Sequence, residues 1–559
     1  MAYCLRFKEK IIKLSVPFVI IISILLFFHA SFGLSSLNPL NTEWLLNNKD
    51  QATHFLGWQF FRNDDWTFPL GTINSYNYPI GTNIGYTDSI PLLAIFFKLL
   101  SPILPYPFQY TGIWLFSCFL LQAFFAYLLI RKKTSLVLIR IVAVLILTLT
   151  PILIVRHIHP SLCAQWLILA SIWIYLSEQN TRKKILIQFL LLIFSAFTHP
   201  YLCIMVSLFS FSLFSNLIIK KKIKLISFIL NTVLSIIAVL LIWHIIGYFS
   251  LGPNWNDYGA GGYDYFSIDL NTFFNPSTST SYFIPTLPTK STTYESYNYL
   301  GSGVILLLII VIIFSVKNIK IIIEDRKKYL KKARLFIKNH IVLIISLASL
   351  SFFALGNNIS FNGTVIFSYP LNENYEKLIA PLRASSRFIW PAYYMMLIFI
   401  IFAFIKKLIN NLWLIGIFII ALSLQIGGKN FIFPYNMEKT LLLNNTEWSE
   451  SIAQADKILI FPAYKELIED SNDDISFAYL AAINKKAINL GNLARNNIKR
   501  RDRESKKLRR DLVDGRIQPK TLYITTQKYD SIINKETFKD KLECKVISGY
   551  TACLSKDTN

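Results

Sequence analysis

The sequence predicts an α-helical polytopic membrane protein of about eleven transmembrane helices with a small C-terminal α/β soluble domain. Three observations carry this. Apolar residues make up 53% of the 559-residue chain and fall in long runs. A helix needs about 20 such residues to cross a hydrocarbon core about 30 Å thick. The net charge of +24 comes mostly from short Lys/Arg clusters between those runs, which is the distribution of cytoplasmic turns. That clustering argues against nucleic acid as a partner. After Gln425 the composition turns mixed and charged, with no further apolar run of that length.

Arg6, Lys8, Lys10 and Lys13 precede the apolar stretch 14–33. That stretch is too long for the apolar part of a signal peptide and lacks a small-x-small cleavage site. It reads as a retained first span with a cytoplasmic N-terminus. The clusters Arg131-Lys132-Lys133, Arg182-Lys183-Lys184, Lys220-Lys221-Lys222, the stretch 317–338 and Lys406-Lys407 then mark cytoplasmic turns. Between them the chain goes out and returns as helices, whose backbone groups are satisfied internally. The spans fall near 14–33, 108–130, 136–155, 161–177, 185–198, 201–219, 225–247, 301–316, 340–355, 390–405 and 412–426. This odd number puts the C-terminus outside.

The expected domains are a membrane domain over 1–428, with outer loops 34–107, 248–300 and 356–389, and an extracytoplasmic α/β domain over 429–559. Within the first loop, 89–104 is partly apolar but interrupted by proline, so it reads as interfacial. In the second domain 457–462 and 521–526 read as buried strands, 477–483 as helix, and 497–510 as a solvated charged helix. Cys544 and Cys553, with Gly549 between them, suit the two sides of a hairpin. A disulfide there belongs to an oxidising compartment. Cys4, Cys118, Cys163 and Cys203 read as inert.

Candidate chemistry lies in the outer segments. Asp50 stands one short loop beyond the first span, at headgroup height. A carboxylate there reaches a lipid-linked donor and serves as a general base; the structural alternative for Asp50 and Asp64 is a helix cap and pairing with Arg62. His54, His157, His159 and His199 all fall at outer membrane edges. No pair has a zinc spacing on one helix and no Cys joins them, so a divalent metal is not favoured. A polar lining for sugar or phosphate is the expectation. Arg383 and Arg387, at i and i+4, share a helix face, and guanidinium forks match phosphate oxygens. Outer loops are otherwise poor in Arg; the alternative is anchoring to anionic headgroups. Gly259-Ala-Gly-Gly, Tyr263-Asp264-Tyr265 and Tyr294-Glu295-Ser-Tyr297-Asn298-Tyr299 offer aromatic faces and polar edges suited to sugar rings, although interfacial aromatic belts look alike.

These motifs occur in order: Asp50-x-x-x-His54-x-x-Gly57-Trp58-x-Phe-Phe61-Arg62, Asp88-Ser-Ile-Pro, Arg156-x-x-His159, His199-Pro-Tyr201, Tyr294-Glu295-x-x-x-Tyr299-Leu-Gly301 and Arg383-Ala-Ser-x-Arg387-Phe-x-Trp-Pro391. The whole resembles the bacterial membrane proteins grouped as domain of unknown function 6311. The resemblance covers nearly the full chain, to Gly549-Tyr-x-x-Cys553. Ser296 and Ser386 stand where that family usually has Gly. The family is similar in plan to GT-C glycosyltransferases, with a long acidic first outer loop, many spans and an outer soluble domain.

The resemblance implies Asp50 as base and Arg383/Arg387 as phosphate site. The expected activity moves a sugar from a polyprenyl-phosphate donor to a glycan or protein acceptor outside a bacterial inner membrane. Glu295 and His159 share the acid–base work, and His54, Trp58, Arg62, Asp88, Arg156, His199 and Tyr299 contact substrate. No cofactor is implied with certainty; a divalent metal is an open alternative that is not favoured. The alternatives are a flippase for lipid-linked saccharides or a non-catalytic assembly protein. A transporter would place charges inside its spans and often show an internal repeat, and neither is visible.

Overall fold

The structure is a computed structural model. It describes residues 2–250, 263–277, 281–290, 294–317, 319–408, 411, 413–427, 446–463, 473–526, 529, 533, 538 and 540–556, with backbone alone for 2–14 and 320–322. The stretch Gly259-Ala-Gly-Gly, the boundary at 428/429 and the side chains of Cys4, Arg6, Lys8, Lys10 and Lys13 lie outside the described residues.

The chain is mostly helical. Among the described residues six helices are long and apolar enough to cross a membrane: Ser15–Phe32, Thr111–Ile130, Pro200–Ile219, Leu225–Ile246, Arg326–Ala354 and Ser385–Leu408. A seventh span results if Val137–Thr148 and Pro151–Ile158, bent by 41°, count as one. Helices also occupy the remaining expected stretches, but Pro160–Leu176, Ser302–Lys317 and Leu414–Ile426 are short, and Thr181–Thr198 opens on three basic residues. Thirteen residues, the length of Leu414–Ile426, make a helix only about 20 Å long at 1.5 Å per residue. An apolar pattern marks a helix without fixing whether it reaches both faces, so the eleven expected crossings reduce here to six or seven by length.

The bend at Pro151 has a local cause. Proline at the first helical position drives the preceding residue out of the helical region, and Thr150 is extended, with ψ of 140°. The chain then closes in two tight turns, Arg156–Ile158 and Pro160–Cys163. These deliver Arg156 and His159 to one end of the bundle. The basic clusters gather elsewhere: Lys132 pairs with Glu178 at 2.5 Å, and Lys184, Lys220, Lys222 and His340 share a cavity of about 430 Å3.

The segment after the first long apolar helix forms the buried helix Lys49–Asn63, capped by Asn48, whose side chain accepts from the Asp50 N–H at 2.9 Å. Helix Pro91–Leu99 follows, in the stretch read as interfacial, with Phe96 and Leu99 exposed. Residues 75–78 run alongside the C-terminal sheet. Ile488 donates to the Ser75 carbonyl at 2.8 Å, Tyr78 to that of Ile488 at 2.8 Å, and Asn77 to that of Leu490 at 2.9 Å. The sheet itself has the order Ala487–Ile488, Lys457–Phe461, Thr521–Thr526, Tyr550–Ser555, Leu542–Ile547. Its first three strands are parallel and the last two antiparallel. The final hairpin turns through Ser548 and Gly549, both at positive φ, as a tight two-residue turn requires. Cys544 and Cys553 face each other across it and are joined by a disulfide. Helix Asp473–Ile483 docks on helix Lys49–Asn63, where Asn63 donates to the Ala482 carbonyl at 3.0 Å.

Gly57 sets how closely the His54 helix approaches the 87–89 turn, since a Cβ there would lie 2.2 Å from Thr87 Oγ1 and 2.3 Å from Thr87 Cβ. Overpacking of this kind destabilises by about 1–3 kcal/mol. Gly57→Ala is therefore expected to lower the melting temperature of the detergent-purified protein, and an unchanged melting curve would contradict this packing.

Candidate functional site

A cavity of about 800 Å3 lies between one end of the helices and residues 492–495, which follow strand Ala487–Ile488. Its polar lining comes from Asp50, His54, Asp88, His159, His199, Glu295, Arg383, Arg387 and Arg495. Its apolar wall includes Ile204, Trp243, Tyr248 and Phe266.

Glu295 anchors the floor. Arg387 donates to it through Nε at 2.9 Å and through a terminal nitrogen at 2.5 Å. Arg156 donates to the same carboxylate at 2.8 Å and to the Glu295 carbonyl at 2.9 Å. All three side chains are buried. The arginines are also seated on aromatic faces, Arg387 at 4.8 Å from the Tyr201 ring centre and Arg156 at 5.5 Å from that of Trp390, an attractive arrangement. Burial alone pushes the Glu295 carboxyl up, but the Arg387 and Arg156 guanidiniums outweigh it and hold the group well below the usual carboxylate range. Ser386 donates to the Glu295 carbonyl at 2.6 Å, so the hydroxyl at this position joins the same assembly.

Beside this floor lie three histidines. His159 stands with Nε2 3.3 Å from Glu295 and 3.6 Å from Asp50. Its Nδ1 is 3.2 Å from His54 Nε2. The other nitrogen of His54 is 2.8 Å from the Asp88 carbonyl. His199 caps helix Pro200–Ile219, and its Nδ1 accepts from the Tyr201 N–H at 3.1 Å. That fixes the proton of the neutral ring on Nε2, which faces Asp88 Oδ1 at 3.4 Å. Burial lowers His199 to about 3, and lowers His54 as well, so both are neutral at physiological pH. Asp88 sits at φ 52° and Ile90 at φ 54°. A β-branched residue there is uncommon and marks backbone strain. Asn83 braces the turn by accepting from Gly85 and Tyr86, and Ser89 ties it to the His54 carbonyl at 2.8 Å.

Arg383 and Arg495 form the rim. Arg383 lies 5.6 Å from the Phe266 ring centre. Burial, with Arg495 and Arg387 nearby, lowers it to about 10. Arg495 donates to the Pro381 and Ala494 carbonyls, both at 2.7 Å. A phosphate between Arg383 and Arg495 would relieve the repulsion of these like charges.

Eight of the residues singled out from sequence thus line one cavity. Four do not. Trp58 donates to the Phe108 carbonyl at 2.8 Å. Arg62 donates to the carbonyls of Ser101, Leu104 and Pro105. Arg156 lies behind Glu295, and Tyr299 bonds Ser302 at 2.8 Å. Their spacing beside lining residues reflects shared helices and turns, and their polar atoms are held elsewhere: by backbone carbonyls for Trp58 and Arg62, by Glu295 for Arg156 and by the Ser302 hydroxyl for Tyr299. The expected Arg383/Arg387 helix face is also absent, because two short turns, Ala380–Leu382 and Ser385–Ile389, replace the helix. Arg387 turns inward to Glu295 while Arg383 faces the cavity. Arg495 was not visible as a site residue, since it lies in an irregular segment far along the chain beside an unremarkable charged helix.

The family described as "Domain of unknown function (DUF6311)" matches residues 20–428, and the "DUF6311 C-terminal domain" matches residues 447–555. No curated protein matches the chain.

Removing one member of a buried ion pair destabilises by about 3–5 kcal/mol because a charge is left uncompensated. Glu295→Gln and Arg387→Gln are each expected to reach that size in thermal unfolding. Their double variant should fall short of the sum by about 1–3 kcal/mol; strict additivity would show that the two do not act as a unit.

Proposed function

We infer that this chain, which belongs to the DUF6311 family, is a membrane glycosyltransferase of GT-C-like plan. It moves a sugar from a polyprenyl-phosphate donor to a glycan or protein acceptor outside the cytoplasm. The observation that carries this reading is the single cavity joining an accessible carboxylate, Asp50, to a cationic rim, Arg383 and Arg495, beside an apolar wall. The wall suits an isoprenoid tail, the rim its phosphate, and the carboxylate an acceptor hydroxyl.

In the proposed step the acceptor oxygen forms a bond to the anomeric carbon as the bond from that carbon to the phosphate oxygen breaks. The electron pair leaves with polyprenyl phosphate, whose charge Arg383 and Arg495 balance. The acceptor proton passes to Asp50, with inversion at the anomeric carbon. Asp50 is suited to this because its carboxylate remains partly exposed, at 38%, and stands in the first turn of helix Lys49–Asn63. Arg387 is committed to Glu295, so the phosphate falls to the two rim arginines. His159, between Asp50 and Glu295, positions the base.

The membrane arrangement follows the same reading: about eleven crossings of a bacterial inner membrane, N-terminus in the cytoplasm, C-terminal domain in the periplasm. The gathering of Lys184, Lys220 and Lys222 around one cavity supports a cytoplasmic end there. The Cys544–Cys553 disulfide supports an oxidising compartment for the sheet.

The test is transfer from labelled polyprenyl-phosphate sugars in membranes containing the wild-type chain or a variant at matched level. Asp50→Asn should lower turnover by about 100-fold or more. Arg495→Ala should raise the donor KM by about 10-fold, corresponding to about 1.4 kcal/mol. Undiminished transfer by Asp50→Asn would remove Asp50 from the base role. Movement of the lipid-linked sugar across vesicles without transfer would replace the enzyme with a flippase.

A further inference from the structure

His54, Asp88 and His159 come from three separate segments, yet one ligand atom of each lies within 4.8 Å of the other two. The proton positions around them are constrained. His54 Nδ1 faces a backbone carbonyl, which only accepts, so in the neutral ring this nitrogen carries the proton and Nε2 carries the lone pair. His159 Nε2 faces the carboxylates of Glu295 and Asp50, so in the neutral ring it carries the proton and Nδ1 the lone pair. The two lone pairs then confront each other at 3.2 Å. Two acceptors hold that separation when a cation lies between or beside them. In a tetrahedral site with bonds of 2.0–2.1 Å, neighbouring nitrogens are about 3.4 Å apart.

We propose that His54 Nε2, His159 Nδ1 and a carboxylate oxygen of Asp88 bind a divalent first-row transition metal, with Zn2+ as the reference ion. Two imidazoles and one carboxylate form a ligand set used by open metal sites, which keep a position for water or substrate. The surroundings have the form that such sites require. Each ligating imidazole turns its second nitrogen to an oxygen, the Asp88 carbonyl at 2.8 Å for His54 and Glu295 at 3.3 Å for His159, which fixes the ring and raises its basicity. Asp88 Oδ1 faces His199 Nε2 at 3.4 Å, and a carboxylate oxygen of Asp88 lies within 4.8 Å of both imidazole nitrogens. The left-handed backbone at Asp88 is held by the Asn83 and Ser89 bonds. All three ligands line the 800 Å3 cavity, so the open position faces whatever occupies it, and the metal would polarise an oxygen there. The site stands on ligand geometry and does not depend on the glycosyl-transfer reading.

The experiment uses the full chain in detergent, carrying a tag free of histidine, stripped with EDTA and then titrated with Zn2+ or Mn2+. Bound metal per chain is measured after desalting, and melting curves are recorded with and without metal. The wild type should take up one equivalent and melt at a higher temperature with metal. His54→Asn keeps a donor to the Asp88 carbonyl and His159→Gln keeps one to Glu295, while each removes the ligating nitrogen. Either should weaken binding by about 100-fold or more and abolish the metal-dependent rise in melting temperature. EDTA-treated melting curves show that a variant is folded, and if one fails to fold the other decides. Substoichiometric uptake by the wild type would mean that a proton occupies the place between the rings, and would overturn the proposal. Stoichiometric uptake retained by the folded variants would put the metal elsewhere and overturn it equally.

Discussion

The carboxylate of Glu295 lies buried between the guanidiniums of Arg156 and Arg387. Three charges in such a place would each carry a desolvation penalty of several kcal/mol if left alone. They are tolerated because the carboxylate accepts from both arginines and the guanidiniums lie over Trp390 and Tyr201. The members come from three turns: the one after the Pro151 bend, the one at Tyr294–Ser296 and the one at Ser385–Ile389. No pair is close in sequence. Separating any one of these turns would leave a buried charge without its partner, so the triad ties three turns at one end of the helices into one arrangement.

That arrangement decides what the cavity can offer. With Arg387 held inward, the rim charge comes from Arg383 and from Arg495, which reaches in from the C-terminal part of the chain. Arg495 arrives because 75–78 pair with 487–490, fixing the segment that follows strand Ala487–Ile488 over the opening. The C-terminal sheet is therefore part of the site. With Glu295 fixed, His159 is fixed, and through it the His54 ring and the Asp88 turn. A cluster of histidines beside accessible Asp50 and a cationic rim is the chemical content of the pocket.

Much of this was legible beforehand, and the misses have identifiable causes. Eight of the twelve predicted catalytic and substrate-binding residues line the cavity because residues such as Asp50, His54 and Asp88 are polar groups at the ends of apolar runs, where only function or capping places them. Trp58 and Arg62 looked the same in sequence, since they share the helix that carries His54. Their side chains turn to the carbonyls of Phe108 and of Ser101, Leu104 and Pro105. The spacing of Arg383 and Arg387 fitted a helix face, but Pro381 and the tight turns broke that periodicity. Of the eleven expected spans, six or seven among the described residues reach crossing length. Apolar composition marks burial, and short helices such as Leu414–Ile426 are buried or lipid-facing without the length to cross alone.

By itself the sequence determined the class of the molecule: apolar helices with basic turns, polar connecting loops, a C-terminal sheet and a cysteine pair across a hairpin. These follow from local composition and from periodicities of a few residues, which act wherever the segment ends up. Tertiary structure alone decided which polar groups meet. The Arg156–Glu295–Arg387 triad, the His54–His159 contact and the arrival of Arg495 join residues from 92 to 139 positions apart. Their encounter depends on the 41° bend at Pro151, the close approach permitted by Gly57 and the pairing of residues 75–78 with the sheet. Each of these is a three-dimensional packing consequence, because burial forces charges and imidazoles to find partners wherever the folded chain brings them.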